Sequence, residues 1–300
     1  MAENDKVFRT FIEKSDHFVG IMLLTILNSQ FKKKNERIKT HHGYYMASGI
    51  DVLNIIVDIL DHKSYFEKNY NGQQITACIE EATMKILQCL AKNIVSLDTI
   101  IDSEKIKKIF KVISIYTNEK LLDILKEDKL EVEGHVKKTD ITTYKFTSSD
   151  VLEKYKKLKR IDDKELLPYI ERKYGSLCKC AFVIGWVLGL GDEKLLPIIE
   201  EIGNCFGIML KITNDIVNLE QDIKFASEYT TNYIVNNGVY EGFSLFMKNK
   251  IKFIQLMMKY HAISDTSSEI IDLLESRIDE CLEKVNIDLK SYYSSFNSAM

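Results

Sequence analysis

Ile202-Gly203-Asn204-Cys205-Phe206-Gly207-Ile208-Met209-Leu210-Lys211-Ile212-Thr213-Asn214-Asp215-Ile216-Val217-Asn218 joins a nine-residue run that is apolar but for Asn204 to a cluster of polar oxygens. Its first half is almost wholly apolar, which is the pattern of a helix buried on every side rather than one lying on a surface. Its second half sets polar oxygens at a helical repeat. Asn214, Asn218 and Asp222 lie at i, i+4 and i+8, so their oxygens are expected to form one stripe, with Asp215 beside it. Polar oxygens at the end of a buried helix need partners. Three short oxygen side chains on one stripe can hold a hard divalent cation such as Mg2+, which shares its sphere with waters and a substrate phosphate. The bland alternative is a solvated helix face, because Asn and Asp are common there.

Helical periodicity dominates the rest of the chain as well. Val7, Phe8, Phe11 and Ile12 start an apolar stripe that continues through Phe18, Ile21, Met22 and Leu24. Helices are predicted at about 43–62 and 75–90, the latter after the turn signal Asn71-Gly72, and from Ser103 as N-cap to about Lys129. Residues 130–148 lose the apolar period and read as a surface loop with a short irregular element. Helix returns at Asp150 and runs from Asp163 to about Leu188, with Pro168 tolerated near its start. Asp192 caps a helix predicted to reach Asp222. A loop at 223–230 leads to helices at about 231–262 and 267–295, the last with Ser267 and Ser268 as candidate caps. No composition break marks a linker, so residues 1–300 read as one domain of about ten helices. Two prolines and 13 glycines in 300 residues are too few for a many-turned β fold.

The bulk numbers exclude several classes. At 45% hydrophobic and 28% charged, with a net charge of −3 and no basic stripe, the chain has no nucleic-acid footprint. Lys32-Lys33-Lys34 reads as a solvated helix end. The apolar runs Phe18–Leu27 and Ala181–Leu190 are too short to span a bilayer, and no signal-peptide pattern follows the acidic N-terminus. Cys78, Cys89, Cys178, Cys180, Cys205 and Cys281 show neither disulfide-framework nor zinc spacing, which predicts buried thiols in a reducing, cytoplasmic compartment. Cys178 and Cys180, two residues apart, point to different sides of a helix. No paired Glu-x-x-His motif supports a di-iron bundle.

A second acidic cluster stands on the early helix, where Asp58 and Asp61 interrupt Ile55, Ile56, Val57, Ile59 and Leu60. Two acidic clusters facing each other across a bundle could clamp a diphosphate through Mg2+, with the apolar faces below forming a dry pocket for a hydrocarbon tail. His62, beside Asp61, reads more simply as a hydrogen-bonded boundary residue than as a ligand.

Tyr169-Ile170-Glu171-Arg172-Lys173-Tyr174-Gly175-Ser176-Leu177, then Gly185, then Gly203-x-x-x-Gly207-x-x-x-Lys211-x-x-Asn214-Asp215-x-x-Asn218, resembles the trans-isoprenyl diphosphate synthase (polyprenyl synthetase) family. That family carries a Lys-Thr-Gly motif and a later Gln-x-x-Asp-Asp-x-x-Asp motif at this spacing. Ala47-x-x-Ile50-Asp51-x-x-Asn54 before Asp61, and Gly72 followed by Glu81-Ala82, resemble its first half, so the match covers roughly residues 45–285. The lysine-, asparagine- and isoleucine-rich usage resembles the divergent members encoded by some large DNA viruses.

The resemblance implies an all-α fold, a single large helical bundle of the isoprenoid (terpenoid) synthase type. It also implies Mg2+ as cofactor, isoprenoid diphosphates as substrates, and a homodimer or a heterodimer with a related subunit. Asp61, His62 and Tyr65 fall on the first Asp-rich motif. Asn214, Asp215 and Asn218 fall on the second, and Asp222 on its trailing acid. The implied metal ligands are therefore Asp61, Asn214, Asp215, Asn218 and Asp222. Lys173 falls on the diphosphate-binding lysine, with Lys211, in place of the usual glutamine, and Lys63 as further substrate contacts. Asp61, Lys173 and Asp215 are the implied catalytic residues.

The chain departs from the pattern at several points. Each Asp-rich motif keeps one aspartate, Gly20-Ile21-Met22 replaces a Gly-Lys-Arg segment, and the paired arginines after the first motif are absent. Lys33, Lys34 and Arg37 are candidate replacements for the lost basic groups. Ionising an allylic diphosphate needs several positive charges in a low-dielectric site. Three functions follow. One is a Mg2+-dependent prenyltransferase condensing isopentenyl diphosphate with an allylic diphosphate to a C15–C20 product. The second is a catalytically impaired homologue kept as partner subunit or scaffold. The third is a terpene cyclase, or a prenyltransferase with another acceptor, because Asn214, Asn218 and Asp222 also resemble the Asn-Ser-Glu metal triad of the cyclases.

Overall fold

The structure is a computed structural model, described for residues 16–30, 38–98, 100–126, 130–135 and 144–284. The predicted stripe from Val7 to Ile12 and the basic residues Lys32, Lys33, Lys34 and Arg37 lie outside the described residues. Thirteen helices are described: α1 (Phe18–Ser29), α2 (Tyr44–Asp61), α3 (Lys63–Asn69), α4 (Gly72–Asp98), α5 (Ser103–Leu125), α6 (Ser149–Tyr155), α7 (Asp163–Ile170), α8 (Ser176–Leu188), α9 (Leu196–Val217), α10 (Leu219–Phe225), α11 (Tyr233–Asn237), α12 (Val239–Lys259) and α13 (Asp265–Lys284). Two short strands, β1 (Val132–His135) and β2 (Lys159–Ile161), pair antiparallel, with Val132 opposite Ile161. β1 is the irregular element expected in the 130–148 region.

The decisive stretch is α9, and it occupies the centre. It packs on α8, α12 and α13, while α1 and α2 close the bundle on the far side of α8. Phe182 of α8, Phe206 of α9 and Phe253 of α12 meet with ring centroids 5.8–6.0 Å apart, tying three helices together. Gly203 and Gly207 let the backbones of α9 and the α7–α8 segment touch. A Cβ at Gly207 would stand 2.4 Å from the Tyr174 carbonyl oxygen, and one at Gly203 would stand 2.8 Å from that of Cys178. Gly185 plays the same part against α1, 2.4 Å from the Leu23 carbonyl. The buried apolar side chains form one cluster that runs from Val19 to Leu282.

Helix 40–61 is long and apolar enough to cross a membrane by length and composition, but most of that window is buried inside the bundle. The six cysteines form no disulfide, and burial pushes the Cys178 and Cys180 thiols up, Cys180 to about 12.

Several predicted boundaries move. α4 extends well past Leu90. Asp102 rather than Ser103 caps α5, its carboxylate accepting from the Lys105 N–H at 3.0 Å. Ser264 caps α13, exchanging backbone-to-hydroxyl bonds with Ser267. The helix expected to run unbroken from 163 to 188 holds a π-helical turn at Glu171–Gly175. The helix expected to reach Asp222 stops at Val217, with Asn218 at the break, and restarts as α10. At that break the Asp215 carbonyl accepts from the Asn232 side-chain amide at 2.7 Å. Both irregularities lie at the candidate site.

Candidate functional site: a lysine between two buried carboxylates

Asp61 is the last residue of α2, Asp215 lies in the last turn of α9, and the two helices bring them face to face. Between them stands Lys211. Its ammonium lies 2.7 Å from Asp61 Oδ2 and 2.7 Å from Asp215 Oδ1, and all three side chains are 1% exposed. Lys211 and Asp215 are i and i+4 on α9, which aims both at the same point.

Asp61 collects three more donors. Thr231 Oγ1 donates at 2.8 Å, Tyr174 OH at 3.1 Å and, more loosely, Tyr169 OH at 3.4 Å. On a regular α-helix, residues 169 and 174 would point roughly 140° apart. The wider turn at 171–175 brings both hydroxyls to one carboxylate, a use of π-helical turns seen at functional sites. Asp215 Oδ2 accepts from the Tyr233 N–H at 2.8 Å. The trailing acid Asp222 pairs with His62 Nδ1 at 3.1 Å and accepts from Asn232 Nδ2 at 2.8 Å.

The electrostatics follow from this arrangement. Burial opposes ionisation of Asp61, but the Lys211 ammonium, His62 and the Thr231 hydroxyl outweigh it and hold the carboxyl down at about 2. Burial raises Asp215 to about 7, Asp61 and Asp222 adding to it and Lys211 opposing it. The two carboxylates share one ammonium and titrate as a unit. Asp61, with four donors, is the one that stays ionised. Burial works against a charged His62, but Asp222 and Asp61 lift it to about 9. Asp58 is raised to about 7 by burial, with Asp61 adding to it.

Beside this cluster opens a cleft of about 540 Å³. Asp61, His62, Asp222, Lys63, Lys126 and Lys173 line it, and Leu125, Leu130, Tyr169 and Phe225 supply apolar surface. The Lys173 ammonium donates to the carbonyls of Ile124 at 2.6 Å and Lys126 at 2.7 Å, capping the end of α5. A second cavity of about 350 Å³ lies on the other side of His62, lined by Asp16, His17, Asn54, Asp58, Asn214 and Asn218.

The implied metal ligands are thus divided. Asp61 and Asp222 border the cleft, Asn214 and Asn218 border the second cavity, and Asp215 lines neither. The break at Asn218 is the reason the expected stripe from Asn214 to Asp222 does not persist. Lys211, expected as a substrate contact, has its charge engaged inside the protein. Lys63 stands at the cleft's edge, exposed and 3.8 Å from Glu67. Asp51 anchors the start of α1, accepting from the Gly20 N–H at 3.2 Å and meeting His17 at 2.9 Å. Met22, in the segment that replaces Gly-Lys-Arg, is fully buried.

With Lys211 in place, a divalent ion does not fit between Asp61 and Asp215. A carboxylate offers about four lone-pair directions, and the four donors to Asp61 use them. Lys211 already fills the space between the two acids. Among the described residues, no three His, Cys, Asp or Glu side chains converge as a metal site. Tyr169, Tyr174, Thr231 and Asn232 have no place in the sequence reading of the site. The two tyrosines stood within the quoted motif, but only the π turn shows where they point.

No protein-family model matches the chain, and no curated protein matches it. Solved structures do. A geranyltransferase from Helicobacter pylori matches with a TM-score of 0.52 at 14% identity, covering 96% of this chain and 89% of that one. The same enzyme complexed with magnesium and isoprenyl diphosphate matches at 0.54 and 14%, covering 94% and 87%. An FPP/GFPP synthase from Zymomonas mobilis matches at 0.52 and 10%, covering 88% and 84%. The chain has the all-α fold of the isoprenoid (terpenoid) synthases.

Proposed function

We propose that this chain is a non-catalytic relative of the prenyltransferases, keeping their bundle and working as a partner subunit or scaffold. One observation carries the reading. The two aspartates that face each other across the bundle are joined by Lys211, so the acids that would clamp a metal–diphosphate complex are occupied by an internal ammonium. The engagement of Lys173 at the end of α5 supports it. For the partner role, the support is a set of apolar side chains on the neighbouring helices α4 and α5. Met84, Leu87 and Val95 share one face of α4, with Val95 73% exposed, and Ile115 and Leu122 are exposed on α5. The occupant we assign to this surface is a subunit of the same fold, as a homodimer or heterodimer.

The competing reading is a Mg2+-dependent prenyltransferase making a C15–C20 diphosphate. The cation-lined cleft beside Asp61 favours it, as does the magnesium and isoprenyl diphosphate in the Helicobacter pylori neighbour. Incubating the purified chain with Mg2+, isopentenyl diphosphate and allylic diphosphates separates the two. The proposal expects no product by mass spectrometry. A C15 or C20 alcohol after dephosphorylation, abolished by Asp215→Ala, would establish the synthase. A cyclic hydrocarbon formed without isopentenyl diphosphate would establish a cyclase.

A further inference from the structure

We propose that the second cavity, between His17 and Asn214, binds an uncharged nitrogen heterocycle of the purine type, held by side-chain amides without metal or phosphate. The inference goes beyond the partner-subunit reading and does not depend on the Lys211 ion pair.

The unspent hydrogen-bonding groups of the cavity carry the ligand class. Asn54, Asn214, Asn218 and Gln221 border its volume of about 350 Å³, which is within the range of small-ligand pockets. Asn54 comes from α2, Asn214 from α9 and Gln221 from α10, with Asn218 at the break between the last two. Among the described residues, the side chains of Asn214, Asn218 and Gln221 have no hydrogen-bond partner, and Asn54 donates only loosely, to Asp58 at 3.4 Å. A side-chain amide presents an N–H donor and a carbonyl acceptor next to each other. That pair complements the donor–acceptor edge of an amino-substituted heterocycle, as when Asn or Gln reads adenine. Phe18 and Tyr65 also line the cavity, and aromatic rings favour a flat, stackable ligand over a polyol.

The charges of the wall argue against other ligands. Among the described residues no lysine or arginine lines the cavity, so nothing there offsets a phosphate. Asp16 is engaged by both terminal nitrogens of Arg277, at 2.5 and 2.9 Å, and His17 by Asp51 at 2.9 Å. That leaves Asp58 as the free acid of the wall, and one carboxylate among neutral amides supplies little charge to a divalent ion.

The test is titration calorimetry, backed by equilibrium dialysis, on the full chain in EDTA. The probes are adenine and adenosine, with AMP and unsubstituted purine as comparisons. The expected result is binding of adenine or adenosine. AMP, whose phosphate meets no cation, and purine, which lacks the amino donor, should each bind at least about tenfold more weakly. Asn218→Leu and Gln221→Leu each remove an amide that bonds nothing in the free protein. Each should weaken the binding roughly tenfold with an unchanged unfolding midpoint, a separation that a merely structural role would not produce. Gln221 is exposed, so its variant tests the site even if Asn218→Leu disturbs the helix break.

No binding of adenine or adenosine would overturn the inference, as would AMP binding as tightly as adenosine, or affinity unchanged in both variants. Stoichiometric Mn2+ uptake by the wild type without EDTA, lost in Asn214→Leu, would make the cavity a metal site and overturn it too. None of these outcomes bears on the partner-subunit reading, which the turnover assay tests.

Discussion

Lys211→Met removes the central charge while keeping the length and most of the volume of the side chain. The structure sets the size of the effect. Lys211, Asp61 and Asp215 are each 1% exposed, so after the substitution two carboxylates face each other out of water with no cation between them. Removing one partner of such a buried pair costs about 3–5 kcal/mol. For a chain of this size, about 2 °C per kcal/mol gives a fall of roughly 6–10 °C in the unfolding midpoint. The loss should depend on pH in a defined direction. In the wild type Lys211 holds Asp61 down at about 2. Without the ammonium its folded-state value rises above that of the unfolded chain, and such a group loses stability as pH rises through the raised value. The variant should therefore lag furthest behind wild type at pH 8 and recover part of the gap at pH 5. Circular dichroism melts and urea titrations at both pH values measure it. Adding Asp61→Asn and Asp215→Asn should restore most of the loss, because a neutral, well-packed replacement of a buried ion cluster is often close to neutral overall. A Lys211→Met midpoint within about 1 °C of wild type at pH 8 would refute the claim that this lysine holds the two acids together.

Four further expectations follow from particular contacts. His62 is lifted from 6.5 to about 9, mainly by Asp222, so its contribution is complete below pH 6.5 and is lost as pH rises through 9. At about 1.4 kcal/mol per pH unit the loss is roughly 3 kcal/mol, and Asp222→Asn should flatten that part of the stability–pH curve. Gly207→Ala would place a Cβ 2.4 Å from the Tyr174 carbonyl, forcing two backbones apart at a cost of about 1–3 kcal/mol or more by urea unfolding. Lys173→Met should destabilise by about 1–3 kcal/mol, because the carbonyls of Ile124 and Lys126 lose its ammonium; hydrogen exchange should show the end of α5 opening first. Asn93 is fully buried in α4 with neither amide atom hydrogen-bonded, so Asn93→Leu should raise stability by about 1–3 kcal/mol in the same urea assay.

Apolar periodicity was enough to require an all-α bundle with α9 buried inside it. An apolar run such as Ile202–Leu210 has one low-energy location, inside other helices; that Gly203, Gly207 and Gly185 are where backbones touch emerged only from the packing. The sequence also determined which polar residues stand at the mouth of the buried helices, because Asp61 and Asp215 interrupt apolar periodicity. What those residues do was decided only in three dimensions. Lys211 reads from the sequence as a substrate contact, and only α2, which places Asp61 within 2.7 Å of it from 150 positions away, makes it an internal counter-ion. The π turn at 171–175 and the break at Asn218 were invisible for the same reason. Both are local departures from regular helix, held by partners distant in the chain: Asp61 for the two tyrosines and Asn232 for the Asp215 carbonyl. Periodicity reports which face of a helix is buried. It carries no record of the partner that face will meet, and at this site the partner makes the difference between a metal ligand and one side of an ion pair.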